Sequence, residues 1–372
     1  MEPMEQHGIY ELHFEVTGNC NLDCIYCYNA DCRNKTDELS LEEIKKLVKE
    51  SKKYGTKKFT LTGGEPFVRP DFFEILDELK GQYVSILSNG KIIDKKIVKR
   101  LKKDYPQVQE FKISWDGFKS HDELRVGSSY KDIEKTVKLL KDNGYVVVIN
   151  TIVLEKNQED LVKLYDKLIE LNVDRWRVDM PFTLGYYIDN QKKYKGPDPE
   201  VYTKQFVKII TKHEKEDIKM DLEIFNLYKS QFKPTNTITF DDNVHPCEYK
   251  RELISMKPNG DVIFCPSLSF AMSNFRNAGC DMKQVFKDEE NHDFYKLKMS
   301  DIKACKGCRY LKVCGGGCRA NSIYDFNSFV ERDLSACTTF PFWEQNILPI
   351  LKPDHQEFFK KLIDEDGFIP KV

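Results

Sequence analysis

Cys20-Asn-Leu-Asp-Cys24-Ile-Tyr26-Cys27 follows directly on a strand-like run, Tyr10–Val16. Its three thiols are separated by three and then two residues. That is one thiol short of a closed four-cysteine zinc or iron–sulfur site. An iron with three protein ligands keeps a position open for a small molecule. The triplet alone leaves an accidental gap and a functional one equally open.

Outward from this loop the chain alternates strand and helix patterns as far as Asp179. Strands are expected at Tyr10–Val16, Lys58–Thr62, Tyr83–Ser88, Glu110–Trp115, Val146–Val153 and Arg175–Asp179. Helices are expected between them at Ser40–Tyr54, Asp71–Lys80, Ile93–Lys103, Tyr130–Asn143 and Gln158–Leu171. Ser40 and Glu43 form a capping-box signature ahead of an Ile44/Leu47/Val48 apolar face. Such alternation specifies an α/β fold with a parallel sheet. Six repeats are too few for an eight-fold barrel, so a doubly wound sheet and an open partial (β/α)6 barrel both fit. Either fold gathers its chemistry at the carboxyl ends of the strands. The cysteine triplet falls there, as do Gly63-Gly64-Glu65-Pro66, Ser88-Asn89-Gly90, Ser114-Trp115-Asp116-Gly117 and Asn150-Thr151.

Past Leu184 the chain turns aromatic and lysine-rich, with a long helix expected at Pro199–Lys215. From about Phe240 cysteines become dense and the strand–helix alternation ceases. The expected organisation is a sheet domain over residues 1–183, a bridge over 184–239, a cysteine-rich domain over 240–345 and a helical tail over 346–372. A chain of 372 residues exceeds the size at which single cores usually stop growing, which agrees with more than one domain.

A net charge of −2 gives neither nucleic acid nor an anionic membrane an electrostatic footing. No apolar run has the length of a membrane span, and the start lacks a signal-like apolar region. A cytoplasmic location is therefore expected. In a reducing compartment twelve cysteines read as metal ligands or catalytic groups, not as a disulfide frame.

Two glycines after a strand permit positive φ and a close approach of backbone to a ligand. The triplet, Tyr26 just before its last cysteine, and Gly63-Gly64-Glu65-Pro66 together resemble a radical S-adenosylmethionine enzyme. The resemblance implies that Cys20, Cys24 and Cys27 bind a [4Fe–4S] cluster whose open iron takes the amino and carboxylate groups of S-adenosylmethionine. One electron then yields methionine and a 5′-deoxyadenosyl radical, which abstracts a substrate hydrogen atom. It also implies that Tyr26 lies near the adenine and that Gly63, Gly64 and Glu65 meet the methionine amino end. Ser88, Asn89 and Asn150 become neighbours of the cofactor. Ser114 and Arg125 resemble the positions that hold its carboxylate, which an arginine fork suits. For Arg125 the plainer alternative is a surface ion pair with Asp122 or Glu123. His121 reads as structural, whereas Asp116, Asp179 and Tyr187 are candidates for a general base or substrate anchor.

The second cysteine group is Cys247, Gly260, Cys265, Cys305-x2-Cys308-x5-Cys314-x3-Cys318 and Cys337. Paired zinc ribbons would need eight ligands, and this group has seven. The spacing resembles the SPASM extension of radical S-adenosylmethionine enzymes, with its two auxiliary [4Fe–4S] clusters. The resemblance assigns Cys305, Cys308, Cys314 and Cys337 to the distal cluster, and Cys247, Cys265 and Cys318 to the inner one. The inner cluster is then one ligand short, leaving an open iron unless Cys280 closes it. Cys32 has no assigned role beyond that of a small buried hydrophobe.

SPASM enzymes mostly modify peptides or proteins, so thioether or crosslink formation on a ribosomally made peptide is the expected outcome. Alternatives are formylglycine formation in a sulfatase, a tetrapyrrole or small-molecule oxidoreductase, and a non-catalytic zinc-ribbon interaction protein. Expected partners are a flavodoxin or ferredoxin electron donor and a peptide or protein substrate. Some nineteen residues precede Cys20, too few for a winged leader-recognition domain, so a separate leader-recognition protein or the enzyme's own surface is expected to recognise a leader peptide.

Overall fold

The computed structural model describes residues 10–33, 35, 37–216, 218–225, 228–232, 242–247 and 253–364. The expected domain boundary near Phe240 and the stretch Glu248–Glu252 after Cys247 lie outside the described residues. The chain divides into two compact units. One comprises Met1–Asp198 with Arg251–Glu289, and the other Pro199–Lys250 with Glu290–Val372.

The first unit is built on six parallel strands: β1 (Glu11–Thr17), β2 (Lys58–Gly63), β3 (Tyr83–Ser88), β4 (Val108–Ser114), β5 (Val146–Ile152) and β6 (Arg175–Asp179). Each pairs with the next in chain order. A doubly wound sheet would reverse strand order at a switch point. Sequential order without reversal is that of a partial (β/α)6 barrel, so the structure settles the choice that periodicity left open. The connecting helices are α1 (Leu41–Lys53), α2 (Phe72–Glu78), α3 (Lys95–Asp104), α4 (Lys119–Leu124), α5 (Tyr130–Asp142) and α6 (Leu161–Glu170). The Ser40/Glu43 capping box is formed at the start of α1.

Period-two alternation gives the sheet two unlike faces. Leu12, Phe14, Phe59, Leu61, Val84, Ile86, Phe111, Ile113, Val147, Ile149 and Trp176 are all buried, as are the apolar stripes of the helices. The other face carries Glu11, His13, Glu15, Lys58, Thr60, Glu110, Lys112, Asn150, Arg177 and Asp179. Barrel interiors are ordinarily filled with branched apolar side chains; this one is largely polar, with Leu87, Val148 and Ile152 on the same face. At its amino-terminal end Lys58 pairs with Glu11 (3.2 Å) and Glu110 (4.0 Å), and Ser85 Oγ donates to Glu110 (2.7 Å). That network closes the lower end and leaves the carboxyl ends of the strands as the polar mouth.

Helical periodicity did not show that the cysteine-rich stretch extends this sheet. Leu253–Met256 pairs in parallel with β1, and Asp261–Ile263 and Ser273–Asn274 follow antiparallel. An uncovered β1 edge would expose a row of backbone donors and acceptors. Pairing satisfies them and buries Ile254 and Met256.

The second unit contains the expected helix Pro199–Lys215 and the helices Arg319–Phe326, Leu334–Asn346 and Pro353–Asp364. Aromatic edge contacts organise it: Tyr202 and Phe206 meet Phe225, and Phe359 meets Trp343. No described helix is long and apolar enough to cross a membrane.

Candidate active site at the carboxyl ends of the strands

The cysteine loop leaves β1 and docks on the glycine-rich loop that leaves β2. Gly64 N donates to Thr17 O (2.7 Å) and Glu65 N to Asn19 O (2.9 Å). A Cβ on Gly63 would stand 2.1 Å from Thr17 O, and one on Gly64 2.1 Å from Asn19 O. Gly63 also has a φ of +129°. Both glycines are thus required by the approach of one loop to the other. Arg69, which motif reading did not assign, pins the same corner: its Nη1 donates to Val16 O (2.5 Å) and its Nη2 to Leu39 O (2.8 Å).

Glu65 is fully buried and turned toward the end of β3. Ser88 Oγ donates to both its carboxylate oxygens (2.9 and 3.0 Å), and Asn89 N donates to Oε2 (2.8 Å). Burial pushes the Glu65 carboxyl up to about 7, against the pull of these donors. The folded state therefore holds this proton more tightly than the unfolded chain does. Stability falls as pH rises from 4.5 to about 7, by about 3 kcal/mol in total. Glu65→Gln should flatten that slope, so that its urea midpoints at about pH 5.5 and about pH 7.5 differ less than the wild-type pair do.

Asp116, at the exit of β4, is the hub of the site and is wholly buried. It accepts from Arg125 Nε (2.6 Å), Ile152 N (2.9 Å) and the Tyr26 hydroxyl. Asn157 Nδ2 donates to its carbonyl (2.8 Å). With both carboxylate oxygens occupied, Asp116 orders Tyr26 and Arg125 in this structure. Arg125 is buried and paired with Asp116, not with Asp122 or Glu123 as a surface pair would be. Burial opposes its charge, but Asp116, Tyr26 and Cys24 together outweigh burial and hold it protonated. Its guanidinium stands over the Tyr26 ring (5.3 Å) and reaches Cys24 Sγ (3.9 Å). His121 is structural, as expected: Nδ1 accepts from Asp116 N (3.1 Å), Nε2 meets Ser128 Oγ (2.9 Å), and burial pushes it down to about 4.

Ser114 and Asn150 are register partners on β4 and β5. Among the described residues, Asn150 Oδ1, buried at the polar mouth, has no hydrogen-bond partner. Asn89 Nδ2 bonds Asn21 Oδ1 (2.7 Å) and approaches Cys20 Sγ (3.8 Å). Tyr187 packs with Ile25, Tyr26, Leu124 and Leu154 in an apolar cluster. Asp179 lies opposite Ile152 at the end of β6.

Burial raises all three thiols of the triplet, Cys24 to about 12. Cys20 and Cys27 each raise Cys24 further, so the three are electrostatic neighbours. In the second unit Cys305, Cys308, Cys314 and Cys337 line one cavity of about 60 Å³ with Tyr310, Asp333 and Phe340. Burial pushes Cys305 up to about 11 there. Such donor sets fit iron, which displaces thiol protons on binding. Among the described residues, no three His, Cys, Asp or Glu side chains already form a metal-binding group. Arg319, another residue motif reading missed, is buried and donates to the carbonyls of Gly316, Phe329 (3.1 Å) and Glu331 (2.6 Å), shaping the loop that holds Cys314 and Cys318. Its one sequence signal was an arginine directly after a cysteine. Cys247 N donates to His245 Nδ1 (3.1 Å), Cys265 O accepts from Leu268 N (3.1 Å), and Cys280 occupies a left-handed turn at φ +58°.

Residues 14–168 match the model of the Radical SAM superfamily. That stretch is a radical SAM domain. The match spans this radical SAM core from β1 to α6. The AdoMet-dependent heme synthase of Methanosarcina barkeri is 26% identical over 339 residues, 86% of this chain and 94% of that protein. The antilisterial bacteriocin subtilosin biosynthesis protein AlbA of Bacillus subtilis is 34% identical over 174 residues, 45% of this chain and 38% of AlbA. SuiB of Streptococcus suis, solved bound to precursor peptide SuiA, has the same fold at a TM-score of 0.67 and 20% identity, covering 89% of this chain and 76% of SuiB.

Proposed function

We propose that this radical SAM enzyme oxidatively modifies a peptide or protein, forming a crosslink or thioether on a ribosomally made peptide. The observation that carries the reading is the second-unit cavity lined by Cys305, Cys308, Cys314 and Cys337, the set that the SPASM resemblance assigns to a distal cluster. The likeness to AlbA supports a peptide substrate. Cys20, Cys24 and Cys27 would hold the first [4Fe–4S] cluster, and Cys247, Cys265 and Cys318 the inner auxiliary one. When bound, these groups would supply reductive cleavage of S-adenosylmethionine at the first centre and electron uptake at the others. Backbone at Gly63–Glu65, with Tyr26, Ser88, Asn89, Ser114, Arg125 and Asn150, would receive S-adenosylmethionine. A flavodoxin or ferredoxin would donate the electron, and a separate protein or the enzyme's own surface would recognise a leader peptide.

Anaerobic turnover with S-adenosylmethionine and a reductant tests the reading. Formation of 5′-deoxyadenosine with loss of two hydrogen atoms from a co-encoded peptide is the expected result. A second reading, tetrapyrrole oxidation, is favoured by the heme synthase likeness, which runs nearly the full length of that relative. Loss of carboxyl groups from a tetrapyrrole, with peptides unchanged, would replace the first reading by the second.

The native protein should hold about twelve iron atoms per chain, three [4Fe–4S] clusters, and essentially no zinc. Cys280→Ala separates the two versions of the inner site. Unchanged iron content and spectra are expected if the inner cluster keeps an open iron; loss of about four irons would assign Cys280 as its fourth ligand.

A further inference from the structure

The segment that follows β6, residues 184–190, carries no recognised motif, yet it is fastened to the cysteine loop. It contains the short helix α7 (Tyr186–Asn190). Tyr186 N donates to Cys27 O (3.0 Å), and Asn190 Nδ2 donates to Ile25 O (2.8 Å). These two bonds hold the carbonyls on either side of Tyr26. Gly185 makes the approach feasible. Its φ is +55° and its ψ −135°. A Cβ there would lie 2.3 Å from Cys27 O and 2.8 Å from Tyr28 O. On its other side the loop is held by Ile25 N donating to Leu124 O (3.0 Å) and by pairing of Asp23–Cys24 with Arg125–Val126.

We propose that residues 184–190 act as a strap that positions the Cys20–Cys27 loop, with Gly185 and Asn190 as its positioning residues. The proposal rests on the reading of that loop as the S-adenosylmethionine-binding cluster site. A cysteine backbone directs its own Sγ, and metal sites tolerate errors of only about 0.5 Å in their ligands. Outer contacts that orient ligands are worth about 10- to 100-fold in metal affinity or activity. The strap supplies such contacts from a part of the chain far from the triplet in sequence. A methyl group at Gly185 would push directly on the carbonyl of a ligand residue. Loss of the Asn190 amide would leave Ile25 O without that donor and free the loop to turn about Tyr26.

The test compares Gly185→Ala, Asn190→Ala and Gly144→Ala in anaerobically purified full-length protein. Gly144 also has a positive φ, +71°, but a Cβ there meets nothing within 4 Å, so it reports backbone strain alone. Iron per chain and the low-temperature spectrum of the reduced protein, with and without S-adenosylmethionine, are read beside 5′-deoxyadenosine formation. Gly185→Ala should lose the S-adenosylmethionine-responsive signal and up to about four irons. Asn190→Ala should keep its iron, shift that signal and lower 5′-deoxyadenosine formation about tenfold. Gly144→Ala should match wild type in all three. Wild-type iron and wild-type spectra in both Gly185→Ala and Asn190→Ala would overturn the strap. Should Gly185→Ala fail to fold, Asn190→Ala decides alone. A wild-type protein whose spectrum ignores S-adenosylmethionine would instead overturn the reading of the loop, and the strap with it.

Discussion

Cys24→Ala is expected to abolish 5′-deoxyadenosine formation and remove about four irons per chain, while the fold around it survives. Cys24 sits on a loop whose backbone is tied at both ends: Cys24 pairs with Arg125, and Cys27 N donates to Cys24 O (3.2 Å). Neither bond uses the sulfur. The thiol is pushed up to about 12 by burial, so without a metal it is a neutral, small, apolar group. Its loss costs the protein about 1 kcal/mol of packing, whereas a cluster held by two thiolates in place of three has lost a ligand outright. Iron assay, product chromatography and a urea midpoint separate these effects. Continued formation of 5′-deoxyadenosine by the variant would place the chemistry elsewhere.

Arg125→Met should destabilise the first unit by about 3–5 kcal/mol, the cost of leaving a buried carboxylate without its cation. Asp116 has no exposed surface, and Arg125 is the cation that faces it at 2.6 Å. The Tyr26 hydroxyl and Ile152 N remain as donors but carry no charge. Asp116→Asn combined with Arg125→Met should recover much of the loss, because no unpaired buried charge remains. Anaerobic urea unfolding of the two single variants and the double variant measures the coupling. Equal loss in Arg125→Met and in the double variant would show that Arg125 acts by packing and not by charge. S-adenosylmethionine affinity should fall in both, since Arg125 is the proposed partner of its carboxylate.

Most of the barrel was legible along the chain because its signals are local. Ser40 and Glu43 announce α1, β-branched residues fill β5, and glycines mark the loop after β2. The ends of Tyr83–Ser88, Arg175–Asp179 and Pro199–Lys215 fall where the pattern put them. The loop residues that carry chemistry were legible for the same reason: three cysteines within eight residues and Gly-Gly-Glu-Pro are contiguous strings. Pairings between distant segments were not. Asp116 was read as a candidate base, and nothing in Ser-Trp-Asp-Gly reveals that both its oxygens are taken by Tyr26, Arg125 and Ile152. Arg69 and Arg319 were passed over because an arginine bound to carbonyl oxygens leaves no periodic trace. The strand Leu253–Met256 was hidden by its length and by lying nearly two hundred residues from β2, the other neighbour of β1.

What the sequence by itself determined is the set of donors and the order of the elements: three thiols after β1, a glycine-rich loop after β2, and eight more cysteines toward the end. These depend on residue type and short spacing, which are properties of the chain before it folds. The tertiary structure alone decided sequential strand order over a doubly wound one, because backbone pairing joins edges that periodicity cannot match. It alone placed Glu65 against Ser88 and Asn89, Asp116 between Tyr26 and Arg125, and Gly185 on the carbonyl of Cys27. Each of these is a charge or a carbonyl satisfied by a group far away in sequence, and burial is what makes such partners obligatory.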